Sequence, residues 1–314
     1  MAAPSPRRRM KPNWLRWLGR DFPPAYELAV RAQEKSRIVA GQLRPGRAAD
    51  RPTGALDAAA LGAELTALGV RPGDALMMHS SWDRARVLAP SPVALVSTVR
   101  ELLGPDGTLC MPTYPELSAT DPSAVFDLRK SPSRAGLITE IFRRTPGVSR
   151  SAHLRSVAAA GPLGAELLRE HHLSPYPSGT LSPYAKLAEV GGKVLCVGVG
   201  AEYNSMFHCA EDILEEDFPA PVYENGLFVT RIRREDGTVI EVPAYERGTR
   251  WHYCADAARM LPYLEDVLAR RFIGDVELSV VAADKFLERL LMLARLGIHM
   301  YGFRFPSPAK VLNR

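Results

Sequence analysis

Cysteine is scarce. Only Cys110, Cys196, Cys209 and Cys254 occur in 314 residues, and no two form a C-x-x-C pair. A disulfide scaffold is excluded, and buried, reduced thiols are expected. No stretch reaches the ~18 uninterrupted apolar residues that a membrane span needs. The basic start MAAPSPRRRM is not followed by the apolar segment of a secretory signal. The expectation is a cytoplasmic protein with no transmembrane segment. Several catalytic signatures are missing as well. There is no G-x-x-x-x-G-K-[ST], no G-x-S-x-G and no H-E-x-x-H, and Gly198-Val199-Gly200 lacks the third glycine of a dinucleotide fingerprint. P-loop, Rossmann, α/β-hydrolase and zincin chemistries are disfavoured together.

Acid is absent from the first twenty residues, which carry Arg7, Arg8, Arg9, Lys11, Arg16 and Arg20. Much of the net charge of +5 therefore sits in an N-terminal arm. Such an arm can meet an anionic surface. A solvated, frayed terminus is the simpler reading, and no nucleic acid is expected. The segment GQLRPGRAADRPTG (41–54) has linker composition.

Beyond the linker, strand and helix patterns alternate. DALMMH (74–79), TLCMP (108–112), SVAAAG (156–161) and KVLCVGVG (193–200) read as short, buried strands. Residues 56–69, 91–104, 136–144, 164–172 and 182–191 read as helices, with Ser91 and Ser182 as N-caps before proline. This rhythm predicts an α/β/α sandwich around a mostly parallel central sheet. LFVTRIRREDGTVIEVP (227–243) predicts an added β-hairpin, and two closing helices are expected near 255–270 and 282–297.

Sites on α/β sheets form beyond the carboxyl ends of strands. Polar residues follow strands at His79-Ser80-Ser81, at Thr113-Tyr114, and at Asn204-Ser205 leading to His208 and Glu211. Ser205, His208 and Glu211 are spaced by three, so a helix places them on one face. On spacing alone His208 is as readily a core or capping histidine as a base. His208 with Glu211 could form half of a metal site. No further ligands stand at a convincing spacing, and no metal is expected.

These segments resemble the aminoglycoside 3-N-acetyltransferase family, which has the antibiotic acetyltransferase fold and not the GNAT fold. The likeness is carried by LGVRPGDALMMHSS (68–81), GPDGTLCMPTY (104–114), residues 126–161, LSPYAKLAEVGGKVLCVGVG (181–200) and NSMFHCAE (204–211). The C-terminal third is similar more loosely, through the hairpin, Trp251 and the closing helices. Composition marks residues 1–54 as a basic arm and linker, and the resemblance implies an acetyltransferase domain in 55–314. It implies acetyl-CoA as co-substrate, without metal, and an aminoglycoside or amino sugar as the amine.

The family's Thr-x-x-His-x-x-Glu stands here with Ser205 in place of threonine, which implies His208 as general base with Ser205 and Glu211 beside it. An acid after a tryptophan is implied to orient the histidine; Asp256 is the first candidate and Glu246 the second. The implied acyl-CoA contacts are His79, Ser80, Ser81, Arg150, Ser151 and Ser156. Leu154 replaces the family's proline after His153. Asp127, Glu140 and Tyr114 are candidates for the amine. The expected partner is a small-molecule amine, with a homodimer left open. A non-catalytic CoA- or partner-binding relative and a Ser205/His208 hydrolase are the alternative readings.

Overall fold

A computed structural model describes residues 11–30, 56–115, 124–224 and 226–312. Arg7, Arg8, Arg9 and the 41–54 linker lie outside the described residues. Ten strands are described: β1 (Ala75–Ser80), β2 (Thr108–Pro112), β3 (Val125–Asp127), β4 (Ser149–Arg150), β5 (Val157–Ala160), β6 (Lys193–Val197), β7 (Leu227–Arg233), β8 (Val239–Tyr245), β9 (Leu268–Ile273) and β10 (Val276–Ala282). Seven of them form the central sheet, in the order β4-β5-β2-β1-β6-β10-β9. The three central strands β2, β1 and β6 run parallel, with Met77 opposite Cys110 on one side and Val194 on the other. The flanking pairs are antiparallel.

The two-residue period of β1 divides the core. Leu76 and Met78 pack with Leu61, Leu65, Leu95 and Val99 from the helices Ala58–Ala67 and Pro92–Leu103. Ala75 and Met77 pack on the other face with Leu187, Phe286 and Leu290 from Pro183–Glu189 and Ala283–Arg295. Strands buried on both faces need continuous apolar sequence, and ALMMH and VLCV supply it. The serine caps form as expected: Ser91 accepts from the Ala94 amide at 3.0 Å and Ser182 from Ala185 at 3.2 Å. All four cysteines are free and buried. Among the described residues no helix is long and apolar enough to cross a membrane.

The expected hairpin is present as β7 and β8. With β3 it makes a separate three-stranded sheet. The helix expected near 255–270 is a correction. A 3-10 helix, Ala257–Tyr263, gives way to β9, which turns at Gly274 into β10 and extends the main sheet. Gly274 has φ of 61°, and a glycine at the first loop position is the mark of a type II′ hairpin.

The described part of the N-terminal arm is docked. Helix Asn13–Asp21 lies on helix Thr249–Cys254, and Tyr26 stacks on Tyr253 at 4.5 Å between centroids. Arg16 is wholly buried. It donates to the carbonyls of Cys254 at 2.7 Å and Met300 at 2.9 Å, and its guanidinium lies 4.7 Å over Phe303. Burial lowers its pKa to about 10, so it is still charged at neutral pH. Arg16→Ala should lower stability by about 2–4 kcal/mol, because two buried carbonyls lose a charged donor. Chemical denaturation tests this; a loss under ~0.5 kcal/mol, the level of an ordinary surface change, would contradict the docking.

Candidate active site

The parallel strands β1, β2 and β6 end on the same side of the sheet. A cleft of about 120 Å³ opens there, lined by His79, Ser80, Pro112, Tyr114, Thr139 and Ser205 among others. Gly198, just past β6, makes this closeness possible. Its φ is 67°, and a Cβ would stand 3.0 Å from the Ser81 carbonyl and the Ala85 amide. His79 is buried, and burial drops its pKa to about 4, so the ring is neutral. Its Nε2 accepts from the Ser205 amide at 3.4 Å. The Ser80 hydroxyl is buried without a protein partner, on a residue that lines the cleft.

Residues 205–211 combine two helix types. Asn204 caps the turn, accepting from the Met206 amide at 3.0 Å. Ser205–His208 form a 3-10 turn, and Cys209–Leu214 continue as α-helix. In a 3-10 turn residues three apart eclipse, so Ser205 and His208 share a face. His208 Nδ1 is 2.9 Å from Glu211 Oε1, which joins two of the expected trio. Arg247, in the loop after β8, pairs with the same Glu211 oxygen and stands 5.9 Å from the Tyr223 ring.

The electrostatics follow from burial. Glu211 is 1% exposed. Burial opposes its charge, but Arg247 and then His208 outweigh burial and hold its pKa below the ordinary carboxylate range. With Glu211 ionised, the neutral His208 ring must carry its proton on Nδ1, which leaves Nε2 as the basic nitrogen. Burial is the largest effect on His208 and Arg247 the next; together they exceed the raising effect of Glu211 and lower its pKa. The neighbouring Asp212 is pushed up to about 7, chiefly by burial. It accepts from the Ser178 amide at 2.5 Å and from the Tyr223 hydroxyl.

Several sequence-predicted site residues have other employment. Asp256 does not orient His208. It accepts from the Lys11 backbone amide at 2.9 Å, and Glu211 takes the place at Nδ1. Arg150 is buried on Phe126 and donates to the Ser131 carbonyl at 2.7 Å and to that of Thr113. Those carbonyls need a buried donor, so the guanidinium is not free for a phosphate. Ser151 bonds His171 Nδ1 at 2.8 Å, and Ser156 donates to the Ser151 carbonyl at 2.7 Å. Asp127 accepts from the Arg129 and Lys130 amides, both at 2.9 Å. Glu140 pairs with Arg143 and Arg144. Neither acid lines the cleft, whereas Tyr114 does. Ser81 starts the short helix Trp82–Ala85 and is outside the lining, unlike His79 and Ser80. Sequence reasoning missed Arg247. The sequence carried no signal for it, since only the burial of Glu211 shows that a cation from elsewhere in the chain is required.

Glu211 binds fewer protons when folded than unfolded across its titration. It therefore adds stability above its unfolded pKa of ~4.3 and loses that contribution as pH falls through its lower folded value. Arg247→Met removes the largest favourable charge and should reverse the sign, so that the variant loses stability relative to wild type as pH rises from about 4 to 7. Denaturation curves across that range check it; parallel profiles would contradict the pairing.

The family model described as aminoglycoside 3-N-acetyltransferase matches residues 77–292. Aminoglycoside N(3)-acetyltransferase IV from Salmonella sp is 38% identical over 160 residues, covering 50% of this chain and 59% of that relative. The match thus spans less than two thirds of that relative's length. A crystal structure of aminoglycoside acetyltransferase AAC(3)-IVa, a histidine-to-alanine mutant in complex with a gentamicin, is 28% identical. It has a TM-score of 0.65 and covers 82% of this chain and 94% of that one. A structure of AAC-IIIb as a binary complex with CoASH shares the fold at 23% identity and a TM-score of 0.64, covering 80% and 99%. By the family match across residues 77–292, more than half of its length, this chain belongs to the aminoglycoside 3-N-acetyltransferase family.

Proposed function

We propose that the protein transfers an acetyl group from acetyl-CoA to an amino group of an aminoglycoside or amino sugar, with His208 as the general base. The observation that carries this reading is the buried Glu211 carboxylate on His208 Nδ1, at 2.9 Å, with Arg247 behind it. It leaves one ring nitrogen basic on the 3-10 turn whose first residue, Ser205, lines the cleft. The CoASH complex and the gentamicin complex among the structural relatives supply the two substrate classes.

Acetyl-CoA, when bound, supplies the acetyl group as a thioester. The cleft offers what such a group needs, the unpartnered Ser80 hydroxyl, Ser205 and the neutral imidazole of His79, and His208 follows one 3-10 turn after Ser205. Nε2 of His208 takes a proton from the amine as its nitrogen bonds the carbonyl carbon. Glu211 stabilises the imidazolium that forms. As the carbon–sulfur bond breaks, that proton passes to the departing sulfur, directly or through Ser205. The net change is one amide formed, one thioester cleaved and one thiol released. Among the described residues that line the cleft none is a carboxylate, so a polycation must draw its counter-charges from outside this lining. A single-amine sugar needs fewer of them.

His208→Ala should slow amine-dependent thiol release by at least ~10²-fold, the usual size of a lost general base. Because the pKa of His208 lies below its ordinary value, the base form is already populated at neutral pH. The acid limb of kcat/KM should therefore fall below the ~6.5 of free imidazole. Thiol release from acetyl-CoA with a panel of aminoglycosides and amino sugars measures both. An equal rate in the variant, or release that needs no amine, would overturn the proposal, the second outcome in favour of a hydrolase.

A further inference from the structure

Behind the helix that carries His208 lies a second, much smaller cavity of about 10 Å³, the space of about one water. Its lining is apolar, from Phe207, Phe218, Met260 and Leu290 among others, with two exceptions: Glu211 and His299. Both exceptions carry an unanswered polar atom. Glu211 puts Oε1 on His208 and Arg247; Oε2 is buried without a close partner, and the Tyr301 hydroxyl that acts on the same carboxylate is buried and unpartnered as well. His299 Nδ1 is likewise buried without a partner. His299 is held between Phe218, 5.1 Å between ring centroids, and Tyr301, at 6.0 Å.

A buried polar atom left unpaired costs about 1–3 kcal/mol, and a carboxylate oxygen more. Two such atoms on the wall of one small cavity are the setting in which a single bridging water is retained. We infer that His299 is a positioning residue, which acts through one buried water on Glu211 Oε2 and so fixes the carboxylate that orients His208. The water accepts from His299 Nδ1–H and donates to Glu211 Oε2. The proton stays on His299, and no bond other than hydrogen bonds is made. A neutral ring suits this, since it has one N–H to give, and burial holds the pKa of His299 down at about 4 even though Glu211 pulls it up. The bridge also decides which Glu211 oxygen serves the base. With Oε2 anchored from behind, Oε1 cannot rotate away from Nδ1.

The inference rests on His208 being the base. Its test therefore pairs kinetics with a readout that needs no turnover: the downfield proton resonance of the His208 Nδ1–H, identified by its loss in Glu211→Gln. The variants are His299→Leu, which removes the donor, His299→Asn, whose amide reaches the Nδ1 position, and His299→Gln, whose amide reaches past it. Leu and Gln should lower kcat about tenfold, as for one hydrogen bond to a charged group. KM for both substrates should hold, and the resonance should move upfield or broaden away. Asn should restore kcat to within about twofold and restore the resonance. If His299→Leu does not fold, Asn against Gln carries the comparison. Wild-type kcat and an unmoved resonance in folded Leu or Gln variants would overturn the inference, as would Asn failing together with Gln. If the base assignment is what is wrong, His208→Ala keeps its turnover, and the resonance still judges the bridge.

Discussion

A carboxylate sealed from water is stable as an anion only if a cation is sealed in with it. Glu211 is such a group, and Arg247 is the cation paired with it. The two are 36 residues apart, joined by an ascending and a descending strand, β7 and β8, that pair with each other outside the central sheet. Tyr223 closes over the pair from one side, under the Arg247 guanidinium and bonded to Asp212. The result on His208 is balanced. Arg247 lowers its pKa and Glu211 raises it, and burial tips the sum toward a neutral ring with a fixed tautomer. A base is thereby made from residues that would separately be costly to bury.

The same logic reaches the N-terminal arm. Arg16 fills the carbonyls of Cys254 and Met300, and Lys11 meets Asp256. Met300 stands between His299 and Tyr301, next to Glu211's cavity. The docked helix therefore braces the segment behind the site, although it contributes no residue to the cleft lining described above. Trp14 and Trp17 of that helix are exposed.

The central strands and the His208–Glu211 pair were legible because their causes are local. Continuous apolar runs specify β1, β2 and β6, and a spacing of three puts His208 on Glu211. The hairpin at 227–245 was marked by alternation around Glu235-Asp236-Gly237. What stayed hidden depends on distant partners. Asp256 looked like a spare acid beside Trp251, and only Lys11, 245 positions away, accounts for it. Arg150, Ser151 and Ser156 looked like ligand donors, but buried carbonyls and His171 claim them. Asp127 and Glu140 answer to amides and arginines in their own loops. The helix expected near 255–270 ends at Tyr263, and β9 follows from Leu268. The Gly274 turn was the better guide.

The central claim is that Glu211 holds His208 as a neutral ring protonated on Nδ1, with Nε2 bare. Nitrogen-15 spectra of the His208 imidazole at a pH of about 7.5, well above the ~6.5 of free imidazole, test it directly. The expected result is a protonated Nδ1 and an unprotonated Nε2, and a loss of that tautomer preference in Glu211→Gln. A ring protonated on Nε2, or on both nitrogens, at that pH would contradict it.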